Sequence, residues 1–261
     1  YYQLSSTNTA EYKTDINKKH SFAVLAGHES FIRHQSDFSA TGTGLTDDRI
    51  VNFGSTTDIS SWAGGDIECA FNSFFGNANY NYADRYLVTA TVRVDGSSKF
   101  SKVNRYSTFP SVATAWRFSE EPWLKNDVLS MGKLRAGWGR VGNSAVSAYQ
   151  IYSTYGTAKY ADHTPGNEAF TVVGLAPTNI SNPGLKWETT EQWNVGLDLG
   201  FWNGRLSFTV DLYDKYTYDL LQSKAISSSS GFKTMWLNSG SIRNRGLEIA
   251  VDATPISTGD F

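Results

Sequence analysis

Residues 185–221 read LKWETTEQWNVGLDLGFWNGRLSFTVDLYDKYTYDLL, two long alternating runs that meet at Asn203-Gly204. Before the turn, Trp193, Val195, Leu197, Leu199 and Phe201 alternate with Gln192, Asn194, Gly196, Asp198 and Gly200. After it, Leu206, Phe208, Val210 and Leu212 alternate with Arg205, Ser207, Thr209, Asp211 and Tyr213. Successive strand side chains point to opposite faces, so period-two alternation marks a strand. Asn-Gly is a strong hairpin signal, because both residues tolerate positive φ. The arms exceed the usual strand of about 5–6 residues and suit a tilted bilayer-crossing strand of about 9–11. With one face apolar and aromatic-tipped and the other polar, the pattern is that of a transmembrane β-barrel wall.

Composition agrees with this reading. The 261 residues suffice for one large domain or two small ones, and a net charge of −2 argues against a nucleic-acid-binding surface. Aromatic residues make up 14% of the chain, including eight Trp and fourteen Tyr. Cys69 stands alone, which excludes an internal disulfide and a cysteine-based zinc site. No apolar run reaches the roughly 18 residues of a transmembrane helix. The mean hydropathy of −0.37 is compatible with a barrel, where only alternate residues meet lipid. The chain starts as if in mid-strand and ends in a turn, so a segment of a longer protein is expected.

Working outward, strands are predicted over 1–16, 21–36, 70–82, 85–95, 109–118 and 131–141, then the two arms of the hairpin, then 240–253. The fold class is therefore all-β: nine antiparallel strands of a larger barrel. Ser119-Glu120-Glu121-Pro122 predicts a short helix from Glu120 to Val128, since serine caps free N–H groups and acids favour the positive helix end. Long irregular loops are expected at 37–68, 96–108, 142–184 and 223–238. They alternate with short turns near 17–20, 83–84, 119–129 and 202–204 and at the terminal 256–260. Outer-membrane barrels have this asymmetry, with short periplasmic turns and longer extracellular loops.

Several motifs resemble the signature of SusC/RagA-type TonB-dependent transporters. They are Arg93-x-Asp95-Gly96-Ser97-Ser98-x-Phe100, Asn104-Arg105-Tyr106 and Phe109-Pro110-Ser111. Further on come Leu134-Arg135-Ala136-Gly137-Trp138-Gly139, Gly142-Asn143 and Asn182-Pro183-x-Leu185-Lys186-Trp187-Glu188. Asp219-Leu220-Leu221 and Asn238-x-Gly240-x-Ile242-x-Asn244-x-Gly246-x-Glu248 complete the set, which spans roughly 70–255. The resemblance implies import of oligosaccharides or peptides across the bacterial outer membrane. It implies a barrel of about 22 strands with a plug inside, a SusD-like surface lipoprotein over the mouth, and TonB acting through the plug. The plug and the TonB-contacting region are not in this sequence, so the segment would need the remaining strands, and outer-membrane lipid, around it.

Candidate contact residues come from the loops. Trp62, Tyr149, Tyr152, Tyr155, Tyr160 and Trp236 are candidates for substrate or lid contact, with His163 and Phe170 in the same long loop as the tyrosines. Tyrosine and tryptophan offer apolar faces with a polar tip, which suits sugars and protein surfaces. Trp116, Trp187, Trp193 and Trp202 are expected in interfacial girdles rather than against sugar rings. Arg93, Lys133, Arg135, Asp198, Asp211, Glu248 and Asp252 fall on the polar, lumen-facing side. Asp95-Gly96-Ser97-Ser98 reads as a turn leaving a strand rather than a ligand loop. Asp47-Asp48 lacks calcium-site spacing, the histidines at 20, 28, 34 and 163 lack zinc spacing, and Gly42-x-Gly44 lacks the strand-to-helix context of a phosphate loop. The Asn179-x-Ser181 sequon carries no weight in this setting. No triad is placed by the sequence, so neither an enzyme, a metal nor a cofactor is expected. The rival readings are a passive porin and a soluble carbohydrate-binding β-protein.

Overall fold

The computed structural model describes residues 1–45, 47, 49–162 and 170–254, with side chains for all of these except 160–162 and 170–172. Its strands are β1 (Tyr2–Ile16), β2 (His20–Leu45), β3 (Thr56–Tyr82), β4 (Tyr86–Ser97), β5 (Tyr106–Trp116) and β6 (Leu129–Asn143). They continue with β7 (Tyr155–Asp162), β8 (Phe170–Pro177), β9 (Glu188–Phe201), β10 (Leu206–Tyr218), β11 (Leu221–Ala225), β12 (Thr234–Asn238) and β13 (Ser241–Ala253). Among the described residues, nine form one antiparallel sheet in the order β1-β2-β3-β4-β5-β6-β9-β10-β13, while β7 pairs only with β8 and β11 only with β12. The nine barrel strands expected from alternation are these nine.

Register places the two faces. Val88, Ala90 and Val92 lie across from Tyr80, Ala78 and Gly76 on one side and from Thr114, Val112 and Pro110 on the other. Leu134, Leu197, Val210 and Ile249 share one cross-strand row on the same face, and Ala136, Val195, Leu212 and Leu247 share the next. Many of these side chains have nothing over them: Ile249 is 63% exposed and Leu212 54%. Thr89, Thr91 and Arg93 lie on the opposite, polar face with Asn79 and Asn77. At the short-turn end the apolar face carries a belt of rings, with Phe22 on Tyr80 at 4.6 Å and Tyr86 parallel to Trp116 at 6.4 Å. Amphipathic rings favour such a boundary.

The short turns share a construction. Asn17-Lys18 and Ala83-Asp84 take positive φ, and Lys19 and Arg85 donate their N–H groups to the carbonyls of Ile16 and Tyr82. At the organising hairpin Trp202 joins Asn203 and Gly204 in the left-handed region, so the connection runs over residues 202–205 between the paired Phe201 and Leu206.

Four expectations are corrected. Residues 37–68 are not an irregular loop: β2 and β3 run on as a two-stranded ribbon, pairing from Asp37↔Gly65 to Leu45↔Thr56 with a bulge at Thr41/Gly42. Threonine and isoleucine suit a pleated backbone, and the two strands satisfy each other's hydrogen bonds. The loops at 142–184 and 223–238 contain the β7–β8 and β11–β12 hairpins for the same reason. The helix at 120–128 is absent; the chain makes one 3-10 turn, Phe118–Glu120, with no side-chain cap. There Glu121 is drawn sideways into other bonds, Pro122 follows, and the Asn126 side chain takes the N–H groups of Val128 and Leu129. Strand ends also move outward, β5 beginning at Tyr106 and β6 continuing to Asn143.

Glu121, 6% exposed in the β5–β6 connection, accepts hydrogen bonds from the Tyr86 hydroxyl at 2.7 Å, the Trp116 indole at 3.2 Å and Arg85 at 3.1 Å. The Tyr86 hydroxyl foremost, then Trp116 and Arg85, hold its carboxyl below the ordinary value of 4.5. A lowered folded-state value means the stabilisation is complete above the ordinary carboxylate range and is lost as pH falls through the lowered one. Melting of the detergent-solubilised protein between pH 6 and about 3 is expected to show this acid limb in the parent and a flatter curve in Glu121→Gln; parallel curves would reject the assignment. The face assignment has its own test. Val210→Arg should cost about 2–4 kcal/mol of folding free energy in bilayers and Thr209→Arg much less, and equal costs would show that the faces are wrongly assigned.

Candidate functional site

At the end opposite the short turns, the long connections fold inward over the polar face of the sheet. Their anchor is Trp187, just before β9. It is 6% exposed and packs against Phe100 at 5.2 Å, Phe109 at 5.6 Å and Phe71 at 6.4 Å between ring centres. Its indole N–H donates to the Arg105 carbonyl at 3.1 Å. Phe100 and Leu185 are fully buried in this cluster, and Val146 and Ile151 bring the β6–β7 connection into it. Gly142 is needed beside it, because a Cβ there would come within 2.0 Å of the Phe109 ring.

Side-chain amides stitch the connections over this core. Asn104 donates to the carbonyls of Gly184 and Leu185 at 3.1 and 3.2 Å, and Asn182 to that of Trp236 at 2.8 Å. Asn238 donates to the carbonyls of Lys186 and Asp219, both at 2.8 Å, and accepts from Lys186 N–H at 2.9 Å. Glu188 accepts from Asn143 at 3.0 Å and from the Leu221 N–H at 3.1 Å. The four motif segments around Phe100, Asn104, Leu185-Trp187 and Asn238 therefore meet in one place and hold the loops in one arrangement. Ser97 and Ser98 belong to the same stitching: Ser98 exchanges bonds with Ala70 through its Oγ and its N–H.

Two ion-pair groups lie on the polar face. Arg93 bridges Glu29 at 3.0 Å and Asp95, and its guanidinium stands over Phe75 at 5.6 Å. With Phe31, Phe71 and Trp187 these groups line a cavity of about 260 Å³ beneath the loop core. Arg135 makes a two-pronged contact with Asp198 at 2.8 and 2.9 Å and reaches Asp211 at 3.0 Å. It crosses directly over Gly196, where a Cβ would meet Asp211 Oδ1 at 2.3 Å and the guanidinium carbon at 2.7 Å. Glu248 stands across from Asp211, Lys133 across from Asp198, and Asp252 across from Ser207.

The remaining sequence candidates divide. Trp62 is 76% exposed on the β2–β3 ribbon, and Tyr152 and Tyr155 are exposed at the start of the β7–β8 segment. Tyr149, at φ 65°, accepts the Glu68 N–H with its hydroxyl at 3.0 Å and so ties its loop to β3. Trp236 is partly buried against the loop core, which is a packing position. The side chains of Tyr160 and Phe170, and His163 and Asp48, lie outside the described residues. Trp193 and Trp202 are exposed as girdle residues would be, whereas Trp187, expected with them, is buried as the hub of the loops. Asp47 pairs with Arg49 at 2.7 Å. His20 bonds Tyr80 at 2.9 Å, His28 bonds Asn72 at 2.6 Å, and His34 faces Asp66 at 3.6 Å.

Comparison with known proteins agrees with the geometry. Residues 1–260 match the family described as TonB dependent receptor-like, beta-barrel. The chain belongs to that family. It is 35% identical to TonB-dependent receptor P26 of Formosa agariphila over 98% of its length, and 43% identical to TonB-dependent receptor SusC of Bacteroides thetaiotaomicron over 72%. It covers 26% of the first and 19% of the second, so it spans about a quarter or less of these relatives. The solved structure of the RagAB peptide importer in its closed-closed state superposes with a TM-score of 0.87 at 30% identity, over 99% of this chain and 28% of that one. These relatives are receptors and transporters, not enzymes.

Leu185→Ala removes the centre of the loop core and should cost about 2–5 kcal/mol locally. Hydrogen exchange is expected to quicken in the 98–105 and 142–154 connections while the β9–β10 ladder stays protected; unchanged loop exchange would show that the core does not hold them.

Proposed function

We propose that this chain is the loop-bearing part of the wall of a transporter that imports a bulky nutrient, an oligosaccharide or a peptide, through the bacterial outer membrane, powered through TonB. The observation that carries this reading is the gathering of the long connections over the polar face at one end of the sheet, locked by Trp187, in a chain of the TonB-dependent receptor β-barrel family. A mouth built in this way gives a large substrate a fixed surface, while the apolar face meets outer-membrane lipid. The name of one relative supports the peptide class, since RagAB is a peptide importer, and that of SusC supports the TonB-dependent receptor reading.

The same geometry supports a set of partners. β1 pairs only with β2, and β13 only with β10, among the described residues. An unpaired backbone edge in lipid costs several kcal/mol per group, so both edges are proposed to continue into the remaining strands of one barrel around its plug. The exposed Trp62, Tyr152 and Tyr155 stand at the loop end, where a SusD-like surface lipoprotein would close over the substrate. Arg135, Arg93 and their carboxylates face the space where the plug would sit.

Deleting residues 150–175 from the whole transporter is expected to leave the barrel assembled, as judged by its heat-modifiable migration, but to impair uptake or lipoprotein capture. Normal uptake with the lipoprotein still bound would leave this loop no role beyond covering the rim. Uptake by the parent should stop when the proton-motive force is collapsed; persistence would make the protein a passive channel.

A further inference from the structure

The apolar outer face changes character at one cross-strand row. Four rows of aliphatic and aromatic side chains run up from Phe201, Leu206 and Ala253 to Val195, Leu212 and Leu247. At about 3.4 Å per residue, the three two-residue steps between them span roughly 20 Å. The next row reads Trp138–Trp193–Asp214–Arg245, and the one above it Arg140–Glu191–Tyr216–Arg243. Rings and guanidinium groups are interleaved there. Arg140 lies over the Trp138 ring at 5.5 Å and Arg243 over the Tyr216 ring at 5.9 Å.

Three arginines share two carboxylates in this patch. Asp214 takes Arg243 at 2.6 Å and Arg245 at 3.1 Å, and Glu191 takes Arg140 at 3.3 Å and the Trp138 indole at 2.7 Å. Arg245 reaches Asp214 only through Nε, so its two terminal nitrogens carry donors with no protein partner among the described residues. Arginines on the polar face are placed differently: Arg93 and Arg135 are each held by two carboxylates. The outer patch is thus a cationic, donor-rich surface on aromatic supports, directly above the lipid-facing band and on the same face.

We propose that Arg140, Arg243 and Arg245 form a docking site for the phosphate-bearing head group of an outer-leaflet lipid. The inference rests on the membrane reading above, which puts the loop end outside the cell. Guanidinium forks match phosphate oxygens and remain charged at any physiological pH. Tryptophan and tyrosine rings at the same height seat the upper acyl chains and the sugar or glycerol carbons. The excess of one positive charge, with Arg245 open, selects an anionic head group over a zwitterionic one.

The test uses the whole transporter and diphosphoryl lipid A as the probe, with binding read by native mass spectrometry and membrane residence read separately by flotation with phosphatidylcholine vesicles. The parent is expected to float and to bind lipid A. The Arg140→Gln/Arg243→Gln/Arg245→Gln variant should float equally and bind at least about tenfold more weakly, since each basic residue near an anionic surface adds to the attraction. Asp214→Asn, which keeps all three arginines and removes an acid, should bind lipid A more tightly than the parent. Equal binding by parent and triple variant, equal binding of lipid A stripped of its phosphates, displacement by inorganic phosphate at equal concentration, or weaker binding by Asp214→Asn would each overturn the site. A parent that fails to float would reject the membrane reading itself.

Discussion

Cross-strand register is the constraint on which everything else here depends. A slip of one residue of β10 against β9 would turn Val210 and Leu212 to the polar side and bring Asp211 into the apolar band. The same slip would separate Arg135 from Asp211, which its guanidinium reaches across Gly196. Burial energy and ion pairing therefore select one register together. The tight turns at 17–19, 83–85 and 202–205 reinforce that choice by fixing the strand offsets at one end.

With the strands set, the loop end is organised by a different interaction. A barrel wall has no conventional core: its apolar residues face outward and its inward ones are polar. The buried hydrophobic cluster of this chain consists mostly of loop residues and lies on the polar face, around Trp187 and Phe100. Rigid loops require such a local core, because a connection of this length left in water would retain its conformational entropy. Asparagines at 104, 182 and 238 complete it by satisfying carbonyls that irregular backbone leaves free. The motif residues around Phe100, Asn104, Trp187 and Asn238 thus fasten the connections to the wall.

The strands were legible from the sequence because the signal is repeated every two residues over many positions, as in the ten from Tyr86 to Asp95. The division of faces was legible for the same reason. The helix at Glu120–Val128 was misread because Ser119 and the acids also suit a tight turn, and only the fold brings Tyr86, Trp116 and Arg85 around Glu121. The β2–β3 ribbon was misread because Gly, Ser, Thr and Asp weaken the apolar alternation, although Phe38, Ala40 and Trp62 still keep it. Trp187 could not be told from Trp193 by residue type: six positions apart, one is buried and the other exposed. The apolar residues Val146, Ile151 and Leu185 inside polar loops were the available sign that the loops pack.

Arginine is used in two ways on the two faces, and the difference follows from the surrounding medium. On the polar face, Arg135 and Arg93 sit where water is partly excluded by the neighbouring loops and strands, and each is neutralised by two acids that fix its direction. On the outer face, Arg140 and Arg243 rest on rings, and with Arg245 they make three arginines to two acids. A guanidinium facing hydrocarbon would be costly, so these side chains begin only where the aliphatic rows end. Their height is set by the same register that aligns Leu212 with Leu247, one row below Arg245 and two rows below Arg140 and Arg243. The alternation that makes the wall therefore also positions the cations, and the boundary between lipid tails and head groups is written along the strands as a change of residue type at a single row.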